Sequence, residues 1–250
     1  MLRRILGFVV SPSFGQRSPA LGRSRGLAAV VIVAMAALVA ILIAVPISDL
    51  RRPYLVIIVY PLDGQSNIRV QHWTRGLAAS LEREHYRVET CGYAISGPAA
   101  RAAAIVKLKR RISIVSSGGR DSVVLVGWST GAWLAYRAAD EGAPVDGIVG
   151  IAGLYDLAGS RHPWVCRGLG DIPDNRYSIG HKQPSPHLPR IVMIQARDDR
   201  FVPLAQAQSA CDSLRLYGHS AQLIILPTDR HGPMDPESLV MFRSALIEAL

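Results

Sequence analysis

Three short stretches carry side chains able to do nucleophilic chemistry, and their order along the chain matters. The first is Gly127-Trp128-Ser129-Thr130-Gly131, the second Asp199-Arg200-Phe201-Val202-Pro203, and the third Arg230-His231-Gly232. A serine hydroxyl is a weak nucleophile until a base takes its proton, and that base works best when an acid orients it. Serine, then acid, then histidine is the order that accompanies a serine held on a tight strand-to-helix turn. Ser129 is thus the candidate nucleophile, His231 the general base and later general acid, and Asp199 the acid that holds the imidazole. Asp198, one residue earlier, is an alternative for that third role. The N–H of Thr130, just after the serine, points to where an oxyanion would form.

Those residues need elements to position them, and the apolar pattern supplies the elements. Val123 to Val126 is a short run of β-branched and leucine residues that enters the glycine-serine stretch, and a helix-forming run, Ala132 to Ala139, leaves it. Tyr54 to Tyr60 is apolar on both faces, as a central parallel strand is. Further strands are predicted at Tyr86 to Cys91, Val145 to Ala152, Ile191 to Ala196 and Gln222 to Leu226. Helices are predicted at His72 to Arg83, Pro98 to Val115, Leu204 to Tyr217 and Pro236 to Leu250. Alternating strands and helices imply an α/β fold, a mostly parallel sheet wound on both faces, with its chemistry at the carboxyl ends of the strands. The acid and the histidine each follow such a strand. Ala158 to Pro189 breaks the rhythm with scattered glycine, proline and histidine, and is expected to overhang the site.

The net charge of +9 is uneven: residues 1–25 hold Arg3, Arg4, Arg17, Arg23 and Arg25 and no acid, so the remainder carries only +4. The densest later cluster, Lys107 to Arg111, reads as a solvated helix face, and nucleic acid is not an expected partner. Gly26 to Ile47 is uncharged and longer than the ~20 residues that a membrane-crossing helix needs. A cleaved signal peptide would have an apolar region of only ~7–15 residues and a small-residue cleavage site, which is missing here. The chain is therefore expected to divide into a basic cytoplasmic tail (1–25), a transmembrane signal anchor (26–48) and a catalytic domain (49–250). The positive-inside rule keeps the amino terminus in the cytoplasm and places the domain outside the plasma membrane, in the periplasm of a bacterium. Cys91, Cys166 and Cys211 lack metal spacing and read as small buried hydrophobes; a Cys166–Cys211 disulfide stays open in an oxidising compartment. His162, His181 and His187 have no ligand spacing either, so neither metal nor organic cofactor is expected.

With GWSTG, the D-x-x-V-P loop at Asp199 and Arg230-His231-Gly232 in place, the chain resembles the α/β-hydrolase superfamily from Tyr54 to Leu250. Gly153-Leu154-Tyr155-Asp156-Leu157, Ser185-Pro186 and Tyr86 to Thr90 followed by Tyr93 make it most similar to small esterases related to kynurenine formamidase and prolyl-oligopeptidase-type hydrolases. That resemblance implies a reduced fold without the first two strands, and a serine hydrolase of ester, thioester or amide bonds. It also exposes a departure. Members of the group carry His-Gly-Gly where this chain has Tyr60-Pro61-Leu62-Asp63-Gly64. The second oxyanion donor is then expected from the backbone of Leu62 or Asp63, and Leu62 is preferred because a carboxylate beside an oxyanion is unfavourable. Asp63 and Gln65 are candidate substrate contacts; Trp128, inside the turn, reads first as a packing residue, with a substrate contact as its alternative. The expected substrate is a small-molecule or lipid-linked acyl compound. The rival reading is a non-catalytic module of the same fold, tethered for binding.

Overall fold

Six parallel strands form one sheet in the order β2-β1-β3-β4-β5-β6. The computed structural model describes residues 54–62, 67–117, 122–160, 162, 163, 166, 169, 178, 179 and 183–250. The strands are β1 (Leu55–Pro61), β2 (Arg87–Tyr93), β3 (Val123–Trp128), β4 (Gly147–Ile151), β5 (Arg190–Ala196) and β6 (Ala221–Leu226). The helices are α1 (Asn67–Arg83), α2 (Pro98–Ser116), α3 (Thr130–Asp140), α4 (Leu204–Leu216) and α5 (Pro236–Ala249). The predicted anchor at 26–48 lies outside the described residues, as do Asp63 and Gln65. Among the described residues, no helix is long and apolar enough to cross a membrane.

Strand periodicity sorts the core into two layers, because alternate side chains leave opposite faces of the sheet. Leu55, Ile57, Val59, Val123, Leu125, Ile148, Ile191 and Met193 pack with residues of α2, α3 and α4. Val56, Ile58, Val124, Val126, Val149, Val192 and Ile194 pack on the opposite face with residues of α1 and α5. Every residue of β3 is buried, which its unbroken apolar run requires. The outer helices bury one stripe each. In α2 that stripe is Arg101, Ala104, Ile105, Leu108 and Ile112, at the three- and four-residue spacing of a single helical face. The central α3 is apolar nearly all round and buried nearly all round.

Most element boundaries fall within two residues of the sequence expectation; α1 begins five residues earlier than predicted. Val70 belongs to its buried stripe with Leu77, Ala78 and Leu81, and the Thr74 hydroxyl donates back to the Val70 carbonyl at 2.7 Å. The cysteines depart further from expectation. Cys211 is buried as predicted, but Cys166 is exposed, and both are free rather than joined in a disulfide.

The turn between β3 and α3 shows why its two glycines are required. A Cβ on Gly127 would lie 2.4 Å from the Cα of Ala132, and one on Gly131 only 2.1 Å from the Val59 carbonyl oxygen. Helix α3 thus starts against the backbone of β1 with no space for a methyl group. Gly131→Ala is expected to destabilise the fold by about 3 kcal/mol, the upper end of overpacking costs, because backbone rather than a flexible side chain must yield. In a chain of this size that is a fall in Tm of roughly 10 °C, readable by thermal unfolding.

Candidate active site

Ser129 occupies the turn itself, with φ 54° and ψ −122°, a left-handed backbone that a residue bearing a Cβ adopts at a cost. Three hydrogen bonds hold it there. Its N–H donates to the Ile151 carbonyl at 2.9 Å, and its own carbonyl accepts from Ala132 at 3.0 Å and Leu154 at 3.1 Å. Ser129 is therefore fastened both to the start of α3 and to the end of β4.

Asp199 is reached through the loop after β5, where the chain folds its carboxylate inward. Its side chain is fully buried, and burying a carboxylate is costly unless its lone pairs are met. All are met here. Oδ1 accepts the backbone N–H groups of Phe201 at 2.8 Å and Val202 at 3.0 Å, while Oδ2 accepts the Gln195 amide at 3.0 Å and His231 Nδ1 at 2.8 Å. Asp198 is exposed and makes no such contact with His231, so the structure selects Asp199 of the two acids.

His231 lies in the loop after β6, and that loop is laced to the acid loop. Arg197 N–H donates to the Leu226 carbonyl at 2.8 Å and Asp198 N–H to that of Thr228 at 3.1 Å. Beyond the histidine, Asp235 caps α5 by accepting the Ser238 N–H at 2.8 Å, which holds the Asp235 carboxyl below its ordinary range. A carboxylate can only accept, so Nδ1 of His231 carries the proton toward Asp199 and leaves Nε2 as the acceptor. Nε2 faces the Ser129 hydroxyl at 3.0 Å. The three side chains form one continuous chain of hydrogen bonds.

The backbone of Leu62 and the side chain of Trp128 are both committed to contacts within the fold. The N–H of Leu62 donates to the Tyr93 carbonyl at 3.0 Å, prolonging the β1–β2 pairing, so it is not held ready for an oxyanion. Thr130 fits the role better, since it is the first residue of α3 and has no carbonyl four residues back within the helix. Trp128, a candidate substrate contact, is 6% exposed and faces inward. Its indole N–H donates to the His231 carbonyl at 3.3 Å, and a Cβ on Gly232 would lie 2.3 Å from that nitrogen. Trp128 thus ties the middle of the sheet to the histidine loop. Trp128→Phe keeps an aromatic ring, though a smaller one, and loses this bond, worth about 1 kcal/mol. It is expected to lower kcat about fivefold with KM little changed, in steady-state ester kinetics.

Sequence reasoning missed Gln195 and Phe201. Gln195 is completely buried near the end of β5, and its amide nitrogen bridges Asp199 and the Val202 carbonyl, the latter at 3.0 Å. A lone amide in the otherwise apolar Ile191 to Ala196 was the available signal. Trp133 and Tyr136, three residues apart on α3, are core residues. The stretch after β4 returns to the fold through Ile179, whose N–H meets the Tyr155 carbonyl at 2.8 Å, and through Ser178, whose hydroxyl meets Asp156. Leu169 is gripped from the other side, its carbonyl accepting from Gly97 N–H at 2.9 Å and the Arg101 guanidinium at 2.6 Å. No cluster of three or more metal-binding side chains occurs among the described residues.

No protein-family model matches the sequence, and comparison with curated proteins gave no match. Comparison with solved structures is informative. A sugar hydrolase from Lactococcus lactis aligns with a TM-score of 0.63 at 15% identity, covering 79% of this chain and 86% of its own. An esterase domain from a Rhodothermus marinus protein aligns at 0.59 and 15% identity, covering 79% and 86%. An acetyl ester-xyloside bifunctional hydrolase from Caldicellulosiruptor lactoaceticus aligns at 0.55 and 19% identity, covering 79% and 84%. These neighbours are hydrolases and esterases of the α/β-hydrolase type. With the parallel sheet, the strained serine turn and the order of the three polar loops, they establish that this chain has the α/β-hydrolase fold.

Proposed function

We propose that the protein is a membrane-anchored serine hydrolase of the carboxylesterase type, acting on a small-molecule or lipid-linked acyl compound. The observation that supports this most is the unbroken path from Asp199 through His231 to Ser129, with bonds of 2.8 and 3.0 Å. Ser129 Oγ attacks the carbonyl carbon of an ester while His231 Nε2 takes its proton. The negative charge that gathers on the carbonyl oxygen meets the Thr130 N–H at the positive end of α3. The imidazolium, stabilised by Asp199, then gives its proton to the departing alcohol, which leaves an acyl group on Ser129. Water, deprotonated by His231, attacks that acyl group, and the serine is restored as the acid departs. A bond to an alkoxide-type leaving group suits this machinery well; thioesters and amides need the same steps.

The membrane placement rests on the uncharged run at 26–48 and the arginines before it. The domain would then lie outside the plasma membrane, tethered through its amino terminus.

Treatment of the full-length chain in membranes with a fluorophosphonate probe tests the chemistry. Labelling of the parent that disappears in Ser129→Ala is the expected result. A folded parent that takes no label overturns the proposal. It would favour the rival reading, a tethered non-catalytic module, whose one supporting observation is that the Leu62 N–H is already taken by Tyr93.

A further inference from the structure

A large apolar side chain left at the surface beside a nucleophile invites a question about what covers it. Phe201 is 38% exposed, although it follows Asp199 by only two residues and precedes the completely buried Val202. Its position is not loose. The turn that supplies two N–H groups to the Asp199 carboxylate uses the backbone of Phe201 itself, at 2.8 Å, so the side chain is directed outward by the same bonds that hold the acid. Two rings flank it. The His231 imidazole lies 5.2 Å away, tilted by 45°, and the His162 imidazole lies 4.8 Å away, tilted by 49°. Both separations are in the range where aromatic rings attract one another. His162 comes from the stretch after β4 and Phe201 from the loop after β5, so two separate loops converge on the rim of the catalytic histidine.

Reaction chemistry says which part of a substrate would meet this rim. The proton held on His231 Nε2 must reach the leaving oxygen, so the leaving group is drawn to the imidazole, while the carbonyl oxygen turns toward Thr130. A ring within about 5 Å of that imidazole, partly exposed and fixed in place, offers a flat apolar face to whatever the leaving oxygen carries. We infer that Phe201 and His162 form a leaving-group subsite, and that it takes an aromatic alcohol in preference to an aliphatic one. The inference rests on the proposed hydrolase function and adds the substrate class. An aromatic ring stacked there gains contact that a branched alkyl group of similar size does not, worth roughly three- to tenfold in kcat/KM.

The test compares phenyl acetate with hexafluoroisopropyl acetate, whose leaving alcohols are of similar acidity, and adds ethyl phenylacetate, which carries its ring on the acyl side. The full-length parent is measured beside Phe201→Leu, which keeps an apolar side chain, and Phe201→Tyr, which keeps the ring. The expected result is a three- to tenfold fall in the phenyl-to-alkyl ratio of kcat/KM in Phe201→Leu, restored in Phe201→Tyr. Phe201→Leu lowering all three esters equally, or ethyl phenylacetate most, overturns the subsite. Binding of phenol to the Ser129→Ala chain, followed by the NMR shifts of the His162 and His231 ring protons, separates the two levels of argument. Perturbed shifts in that variant, beside a parent that hydrolyses no ester, would sink the hydrolase but keep the aromatic subsite. Unperturbed shifts, beside a parent that does hydrolyse esters, would sink the subsite alone.

Discussion

Ser129→Ala is expected to lower kcat for a simple ester on the order of 10⁶-fold, with His231→Ala close behind. The two losses should not multiply. Once the serine is gone the histidine has no hydroxyl to deprotonate, and the double variant is expected to be no slower than either single one. What survives is the contribution of substrate binding and of the Thr130 N–H, which need neither side chain. The fold gives a clean background for the measurement. Ser129 is half-buried, its backbone bonds to Ile151, Ala132 and Leu154 do not involve the hydroxyl, and alanine suffers the same strain at φ 54°. Its Tm should therefore stay within about 2 °C of the parent's, as for a change of roughly 0.5 kcal/mol. A tenfold loss in Ser129→Ala would mean that the hydroxyl is not the nucleophile.

Asp199→Asn is the second large effect, expected at about 10⁴-fold in kcat. The substitution preserves size and leaves Oδ1 free to accept from Phe201 and Val202, so the loop should keep its shape. It changes the partner that faces His231. An amide nitrogen pointed at Nδ1 donates rather than accepts, which moves the imidazole proton to Nε2, where it confronts Ser129 as a donor. The base is then absent although every atom is in place. Gln195 sharpens the expectation, because its amide already donates to the same Oδ2 position at 3.0 Å. An NH₂ group placed there by the asparagine would meet that donor head on, so its oxygen and nitrogen cannot both be satisfied. Burst kinetics with an activated ester measures the effect. A loss of less than about a hundredfold would show that Asp199 does little for the tautomer.

Much of this arrangement was legible in the sequence because it is written in local patterns. The unbroken apolar runs of β1 and β3, the glycines flanking Ser129 and the chain order of Ser129, Asp199 and His231 each follow from short-range rules. What was not legible depends on contacts between distant segments. Whether the Leu62 N–H is available is decided by Tyr93 on the neighbouring strand, 31 positions along. The role of Trp128 is decided by a carbonyl 103 residues away, and no periodicity encodes that contact. Asp199 over Asp198 was favoured by its register with Val202 and Pro203. The choice became definite only with the backbone turn that fills Oδ1. Nothing within the D-x-x-V-P loop marks Phe201, because its ring neighbour His162 comes from another part of the chain.

The place of the histidine within the sheet has one more consequence. Ser129 issues from β3, which has neighbours on both sides, but His231 follows β6, which among the described residues is a sheet edge paired only with β5. Sheet edges open more readily than centres, and they do so without taking the whole domain apart. Opening of β6 would carry the base away from a serine that stays where it was. The protein should accordingly lose its catalytic competence at a lower urea concentration than its far-ultraviolet circular dichroism. Amide hydrogens of β6 should exchange at rates that track that earlier loss. Durability as a catalyst would be governed by one outer strand and by the indole bond from Trp128 to the loop that follows it, while the more stable centre of the sheet sets only how long the molecule remains folded.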